Sequence, residues 1–296
     1  MGFCPLPTVR FLLESLPTKI KTCLRSGPQR VVMFLPIRDD NPHTVTPFVN
    51  YGLLIACGVA FLWQLSLGAS SDAAVATLGF VPGHLFGTVP PDPRLPTVPA
   101  TMTLFTSMFL HGGWMHLLGN MLYLWIFGDN VEASLGHRRY LLFYVLCGVA
   151  AALAQGFVAP NSAIPMIGAS GAIAGVLGAY LILHPRSNIK VFVFLFIIIT
   201  TINVPAFIVL GFWFGGQLLS SAAADAGAPG VAFMAHVGGF VAGVVMVFFF
   251  RRRGVPVFEA AHSRPFAVER RPVRVASRRR GSVPETGAPR LRGPWD

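Results

Sequence analysis

Three short stretches place reactive polar side chains inside otherwise apolar sequence. Pro165–Gly175 reads PMIGASGAIAG, with one hydroxyl, Ser170, among glycines and alanines. AHVGGFVAG (Ala235–Gly243) carries His236, and HGGWMHLLGN (His111–Asn120) carries His116 and Asn120. A serine hydroxyl is a poor nucleophile until a base takes its proton, and a neutral imidazole is the usual base near pH 7. Residues four apart share a helix face, so His116 and Asn120 can offer donors side by side. A helix starting at Ser170 leaves its first backbone N–H groups, Gly171 among them, without intrahelical acceptors at the positive end of the dipole. Such donors stabilise a tetrahedral oxyanion. Ser170 and His236 are therefore the candidate catalytic pair, with His116, Asn120 and Gly171 as candidate oxyanion donors.

No acid marks a third member. Asp129 and Glu132 fall toward the other end of the His116 segment, where bracing the loop against Arg138 or Arg139 is the expected role. A Ser–His dyad is the simplest arrangement. GASGA is not a nucleophile elbow, which requires Gly where Ala172 stands. Cys4, Cys23, Cys57 and Cys147 show no metal-ligand spacing, so neither a metal nor a disulfide framework is expected. No organic cofactor is implied.

These groups need a scaffold, and composition says what kind. Hydrophobic residues make up 53% of the 296, charged residues 12%, and mean hydropathy is +0.61. Soluble domains carry about 25% charged residues, so an integral membrane protein is expected. Six apolar segments are predicted as membrane helices: Phe48–Leu67, Trp114–Val131, Tyr140–Val158, Ser170–His184, Val204–Ala223 and Val231–Phe250. Val191–Ile202 is too short to span alone; it fits an interfacial segment, an extension of the fifth helix, or a loop. Residues 68–113 are proline-rich and read as irregular.

Arg and Lys precede the first segment and follow the second, fourth and sixth, whereas the alternate loops hold only Arg94. That pattern places both termini in the cytoplasm. It also puts Ser170, His236, His116 and Asn120 at similar depth below the outer face. Gly175 and Gly178 on the fourth segment, with Gly239 and Gly243 on the sixth, are expected to let two helices approach closely. The domain plan is a cytoplasmic segment 1–47, a membrane domain 48–250, and a basic tail 251–296. The tail holds +8 of the +11 net charge and is expected to be disordered against an anionic membrane face rather than nucleic acid. MGFCPLPTVR lacks the pattern of a signal peptide. A bacterial inner membrane is the expected location.

HGGWMHLLGN, GASGAIAG (Gly168–Gly175) and AHVGGFVAG together resemble the motifs of the rhomboid intramembrane serine proteases, in the same order and over roughly Phe48 to Arg251. The resemblance implies an all-α membrane protein, a six-transmembrane-helix bundle. It implies Ser170 as nucleophile, His236 as base and then acid, and His116 and Asn120 in the oxyanion region. It further implies a water-filled cavity and transmembrane protein substrates in the bilayer that unwind before cleavage. Two features depart from the family pattern. Ala174 stands where some members carry an aromatic residue against the catalytic histidine, and the first outer loop lacks a Trp-Arg pair found in several.

Taken singly, Ser170 fits a helix cap, His236 a proton path, and His116 with Asn120 an interhelical contact. Their coincidence favours catalysis. A catalytically silent rhomboid-like binder of membrane clients and a small transporter are the competing functions.

Overall fold

Small residues in α7 (Ser170–Leu183) let this helix sit at the centre of a helical bundle. The computed structural model describes residues 32–42, 45–195, 198–223, 232–261, 263, 265 and 266. In chain order the elements are β1 (Val32–Asp39), α1 (Phe48–Ser66), α2 (Ser71–Leu78), α3 (Pro82–Phe86), α4 (Ala100–Thr106), α5 (Trp114–Leu135) and α6 (His137–Val158). After α7 come β2 (Asn188–Leu195), β3 (Ile198–Pro205), α8 (Ala206–Ala223) and α9 (Phe233–Phe250). Among the described residues, α1, α6 and α9 are long and apolar enough to cross a membrane. The chain is thus a largely helical membrane protein. Proline-rich 68–113 forms only short helices, and α5 runs one turn past its predicted end, to Gly136 at φ 86°.

Ten of the fourteen residues of α7 from Gly171 through Tyr180 are buried without a break. At 1.5 Å per residue the helix is about 21 Å long, shorter than a hydrocarbon core of about 30 Å. Its glycines are fitted to neighbouring backbone. A Cβ on Gly243 of α9 would lie 2.0 Å from the Gly175 carbonyl oxygen, and one on Gly239 would lie 2.1 Å from that of Gly171. A Cβ on Gly178 would meet the Phe240 carbonyl at 2.3 Å. Gly175 also faces α6, where Cys147 would be 2.4 Å from an added Cβ. Without hydrophobic drive inside lipid, such close backbone packing is what holds membrane helices together.

The expectation of an all-α chain is corrected by a three-stranded antiparallel sheet in the order β1-β2-β3. Residues 191–195 and 198–202 lie in its paired strands β2 and β3, and β3 displaces the start of the fifth helix from Val204 to Ala206. β-Branched and aromatic residues favour this pleated form, and Ile189, Val191 and Val193 alternate into the core.

Polar groups tie the sheet to the end of the bundle remote from Ser170. Tyr180 Oη donates to Asp39 Oδ2 at 2.7 Å, and Asn130 Nδ2 donates to the same oxygen at 2.6 Å. Glu132 does not rely on Arg138 or Arg139 as expected. Its carboxylate accepts the Val49 and Asn50 N–H groups of α1 at 3.0 and 2.7 Å and meets His137. His184 is buried between Ser134 and Glu259.

The start of the tail is also placed differently from the expectation of disorder. The Phe258 and Glu259 N–H groups donate to the Ile182 and Leu183 carbonyls at 2.8 and 2.9 Å, satisfying acceptors at the end of α7. Residues 1–31 and 267–296, and with them the expected order of the basic tail beyond Phe266, lie outside the described residues.

Two outcomes are expected from this packing. Gly243→Val forces backbone apart and destabilises the protein by about 3 kcal/mol or more, lowering the thermal unfolding midpoint in detergent. Gly211→Ala, where an added Cβ meets nothing within 4 Å, leaves it unchanged. For Asp39, burial raises the carboxyl from 3.8 to about 7, with the Asp129 and Asp40 charges adding and the Tyr180 hydrogen bond opposing. The folded state then holds a proton that the unfolded state has lost. Its contribution is full below about pH 4 and fades as pH rises through about 7. Asp39→Asn should flatten that part of the stability-versus-pH curve.

Candidate active site

The close approach of α7 and α9 brings together two groups far apart in sequence. Ser170 is the first residue of α7, and His236 lies in the first turn of α9. Ser170 Oγ and His236 Nε2 are 2.8 Å apart. On the other side of the ring, Nδ1 is 2.7 Å from Gln217 Oε1 of α8. An amide oxygen only accepts, so Nδ1 carries the proton and Nε2 keeps its lone pair for the Ser170 hydroxyl. This arrangement makes the hydroxyl the donor and the imidazole a base in position.

The donors lie across the same cavity. His116 Nδ1 accepts the Gly112 N–H at 3.3 Å, which leaves the proton on Nε2. That nitrogen faces Gly168, where an added Cβ would lie 2.7 Å from it and 3.6 Å from Asn120 Nδ2. Gly168 has φ 121°, a backbone that L side chains rarely adopt, so it serves both the turn into α7 and the room beside these donors. Asn120 Nδ2 is buried with no hydrogen-bond partner among the described residues. A buried donor left unpaired costs about 1–3 kcal/mol, and Asn120 lines the cavity that holds Ser170. The first backbone N–H groups of α7, including Gly171, complete the donor set.

His111 supports this wall. Gln64 Oε1 accepts the His111 N–H at 2.9 Å, and Gln64 Nε2 donates to the His111 carbonyl at 3.3 Å. The His111 ring meets His116 edge-on, with centroids 5.2 Å apart. Burial first, then the neighbouring His116, pull His111 down to about 4, so it is neutral near pH 7.

Ser170, His236, His116, Asn120 and Gly171 all line one cavity of about 640 Å³, within the range of ligand-binding pockets. Its wall also includes the small residues Gly148 and Ala151. Among the described residues, no three His, Cys, Asp or Glu side chains gather as metal ligands.

Gly175, Gly178, Gly239 and Gly243 stand apart from the reacting groups and set the helix spacing instead. Sequence reasoning missed Gln64 and Gln217. The available signal was an amide within an apolar helix, especially in FWFGGQLL, where Trp213 and Gln217 are one turn apart.

A family profile described as the Rhomboid domain matches residues 99–253. The chain is 28% identical over 159 residues to Rhomboid-like protein 11, chloroplastic, of Arabidopsis thaliana, covering 50% of this chain and 52% of that protein. It is 37% identical over 140 residues to Rhomboid protease GluP of Bacillus subtilis, covering 47% and 24% respectively. With Rhomboid protein 1, mitochondrial, of Saccharomyces cerevisiae it shares 34% identity over 101 residues, covering 33% and 29%. The chain thus spans about half or less of the length of these relatives.

Replacing Asn120 by an apolar side chain of similar size removes an unpaired donor. Asn120→Leu is therefore expected to leave the unfolding midpoint unchanged or raised while slowing phosphonylation of Ser170 by a fluorophosphonate about 10²-fold. Parallel thermal unfolding and labelling-rate measurements check both halves. A fall in stability with an unchanged labelling rate would assign Asn120 to packing alone.

Proposed function

The chain belongs to the rhomboid family, and we propose that it is an intramembrane serine endopeptidase acting through Ser170 and His236. The observation that carries this reading is the 2.8 Å contact between Ser170 Oγ and His236 Nε2 at the wall of a cavity. Family membership alone would also fit a silent, client-binding protein. An oriented hydroxyl–imidazole pair beside an unpaired amide favours the enzyme.

In this reading His236 takes the proton as Ser170 Oγ attacks a peptide carbonyl. The resulting oxyanion meets the Gly171 N–H, His116 Nε2–H and Asn120 Nδ2–H groups, each lowering the barrier by about 3 kcal/mol. The imidazolium then protonates the leaving amine. Water attacks the acyl-serine with His236 again as base, which restores the hydroxyl. No metal or organic cofactor enters these steps.

The substrates are transmembrane proteins. A peptide bond within a membrane helix is shielded by its own hydrogen bonds, so the segment must unwind before its carbonyl reaches Ser170. In the proposed topology α1, α5, α6, α7, α8 and α9 form six spans, with both termini cytoplasmic and the cavity toward the outer face. The alternation of basic loops supports it. A bacterial inner membrane is the proposed location. The domain plan keeps 48–250 as the membrane catalytic unit between 1–47 and 251–296.

Reconstitution with a panel of single-span substrates tests the assignment. Wild type is expected to release fragments cut at a fixed bond, and Ser170→Ala to release none. Equal cleavage by both, or none by wild type across the panel, would favour the client-binding alternative or another activity.

A further inference from the structure

A Ser–His pair without an acid leaves a question of geometry. An imidazole can carry its proton on either nitrogen, and only the Nδ1–H form offers Nε2 as a base to Ser170. Some other group must select that form and hold the ring plane. Ala174 is too small and lies buried in the helix core.

Two side chains of α8 reach the ring instead. Gln217 Oε1 is 2.7 Å from Nδ1. Trp213, one turn earlier on the same face, places its ring centroid 5.9 Å from that of the imidazole. Trp213 also lies beside Phe240, which stacks on Phe214 at 4.3 Å, so the indole is itself supported.

We propose that Gln217 is a positioning residue for His236: its amide oxygen holds Nδ1–H and thereby fixes the ring that serves Ser170. This deepens the protease reading and rests on it. Gln217 does not touch the substrate or accept the Ser170 proton; it acts through the ring. During attack the imidazole gains a proton on Nε2, and both N–H groups then need acceptors. The Gln217 oxygen remains one of them, so the contact supports the imidazolium as well as the neutral base. A neutral amide provides less of this support than the carboxylate of a Ser-His-Asp triad. It also avoids burying a charge among apolar helices.

The residues around the ring make a pH readout interpretable. His116 of α5 lines the same cavity as His236, and the part of α6 that packs beside the start of α9, Gly148–Val158, carries no ionisable side chain. α8 contains no ionisable side chain, and the only one on α7 is Tyr180, near that helix's far end. No carboxylate hydrogen-bonds to His236 among the described residues.

The test uses the full chain reconstituted in lipid. Gln217→Leu keeps the side-chain size and removes the acceptor. It is expected to lower kcat about 10²-fold, within the range for acid–base catalysis, with KM and the unfolding midpoint little changed. Gln217→Glu restores an acceptor, recovers at least a tenth of wild-type kcat, and moves the acid limb of the kcat/KM profile to higher pH by stabilising the imidazolium. In parallel, ¹⁵N NMR of labelled histidine reads the His236 tautomer without requiring turnover. Wild type should show the Nδ1–H form, and Gln217→Leu a mixture.

Wild-type kcat and tautomer in Gln217→Leu, or an acid limb unmoved in Gln217→Glu, would overturn the proposal. If Ser170→Ala cleaves as well as wild type, the protease reading fails by itself. If only Gln217→Leu is unaffected, this inference fails and the dyad stands. If no substrate is cut, the tautomer of His236 in wild type and Gln217→Leu still decides whether Gln217 holds the ring.

Discussion

Backbone contact between α7 and α9 is the constraint on which the rest depends. Gly239 lies against the Gly171 carbonyl and Gly243 against that of Gly175, so the two helices run at a distance no side chain permits. Ser170 opens one helix and His236 lies in the first turn of the other. Their 2.8 Å contact follows from that spacing together with the register between the helices. Glycine packing along the two helices thus sets the distance between Ser170 and His236. The far end of α7 is secured differently, by N–H groups of Phe258 and Glu259 that close its last carbonyls. A short helix can therefore stay buried without leaving its end unsatisfied.

The cavity beside Ser170 runs against the economy seen elsewhere. At the sheet end, Asp39, Asn130 and Tyr180 satisfy one another, and Glu132 takes the first N–H groups of α1. At the Ser170 end, Asn120 Nδ2 has no hydrogen-bond partner among the described residues, and Gly168 holds a backbone angle that side chains rarely adopt. Unpaired buried donors lower stability, and only glycine readily supplies that backbone angle. They are retained where charge would develop on a bound carbonyl, and nearby packing against Gln64 and His111 keeps the wall in place. This contrast separates the proposed chemical site from the structural polar network.

Much of the helical framework was legible because apolar runs in lipid are long and plainly bounded. Phe48 and Trp114 start helices where expected, and α7 ends one residue before His184. The meeting of Ser170 with His236 was legible because polar groups are costly in such runs and the small residues around them indicate close packing. The sheet was harder to read. Val191–Ile202 is apolar apart from Thr200 and Thr201, and a run of that length does not distinguish strand from buried helix until its pairing with Val32–Asp39 is known. The same limit applies to residues whose roles depend on a distant partner. Gln217 reads as one amide in an apolar helix until His236 is placed beside it. Glu132 has nearby arginines in sequence, yet its partners come from the start of α1 and from His137. Composition also hid the start of the tail, where Phe258 and Glu259 dock by backbone groups that any sequence possesses.

The most direct measurement of the central claim is the site of covalent attack. The lipid-embedded protein, exposed to a fluorophosphonate at neutral pH and mapped by peptide mass spectrometry, should carry one adduct, on Ser170. That adduct should vanish on unfolding before exposure and in His236→Ala. An unmodified Ser170 in folded protein, or equal modification without the His236 imidazole, would contradict activation of the hydroxyl by its helical neighbour.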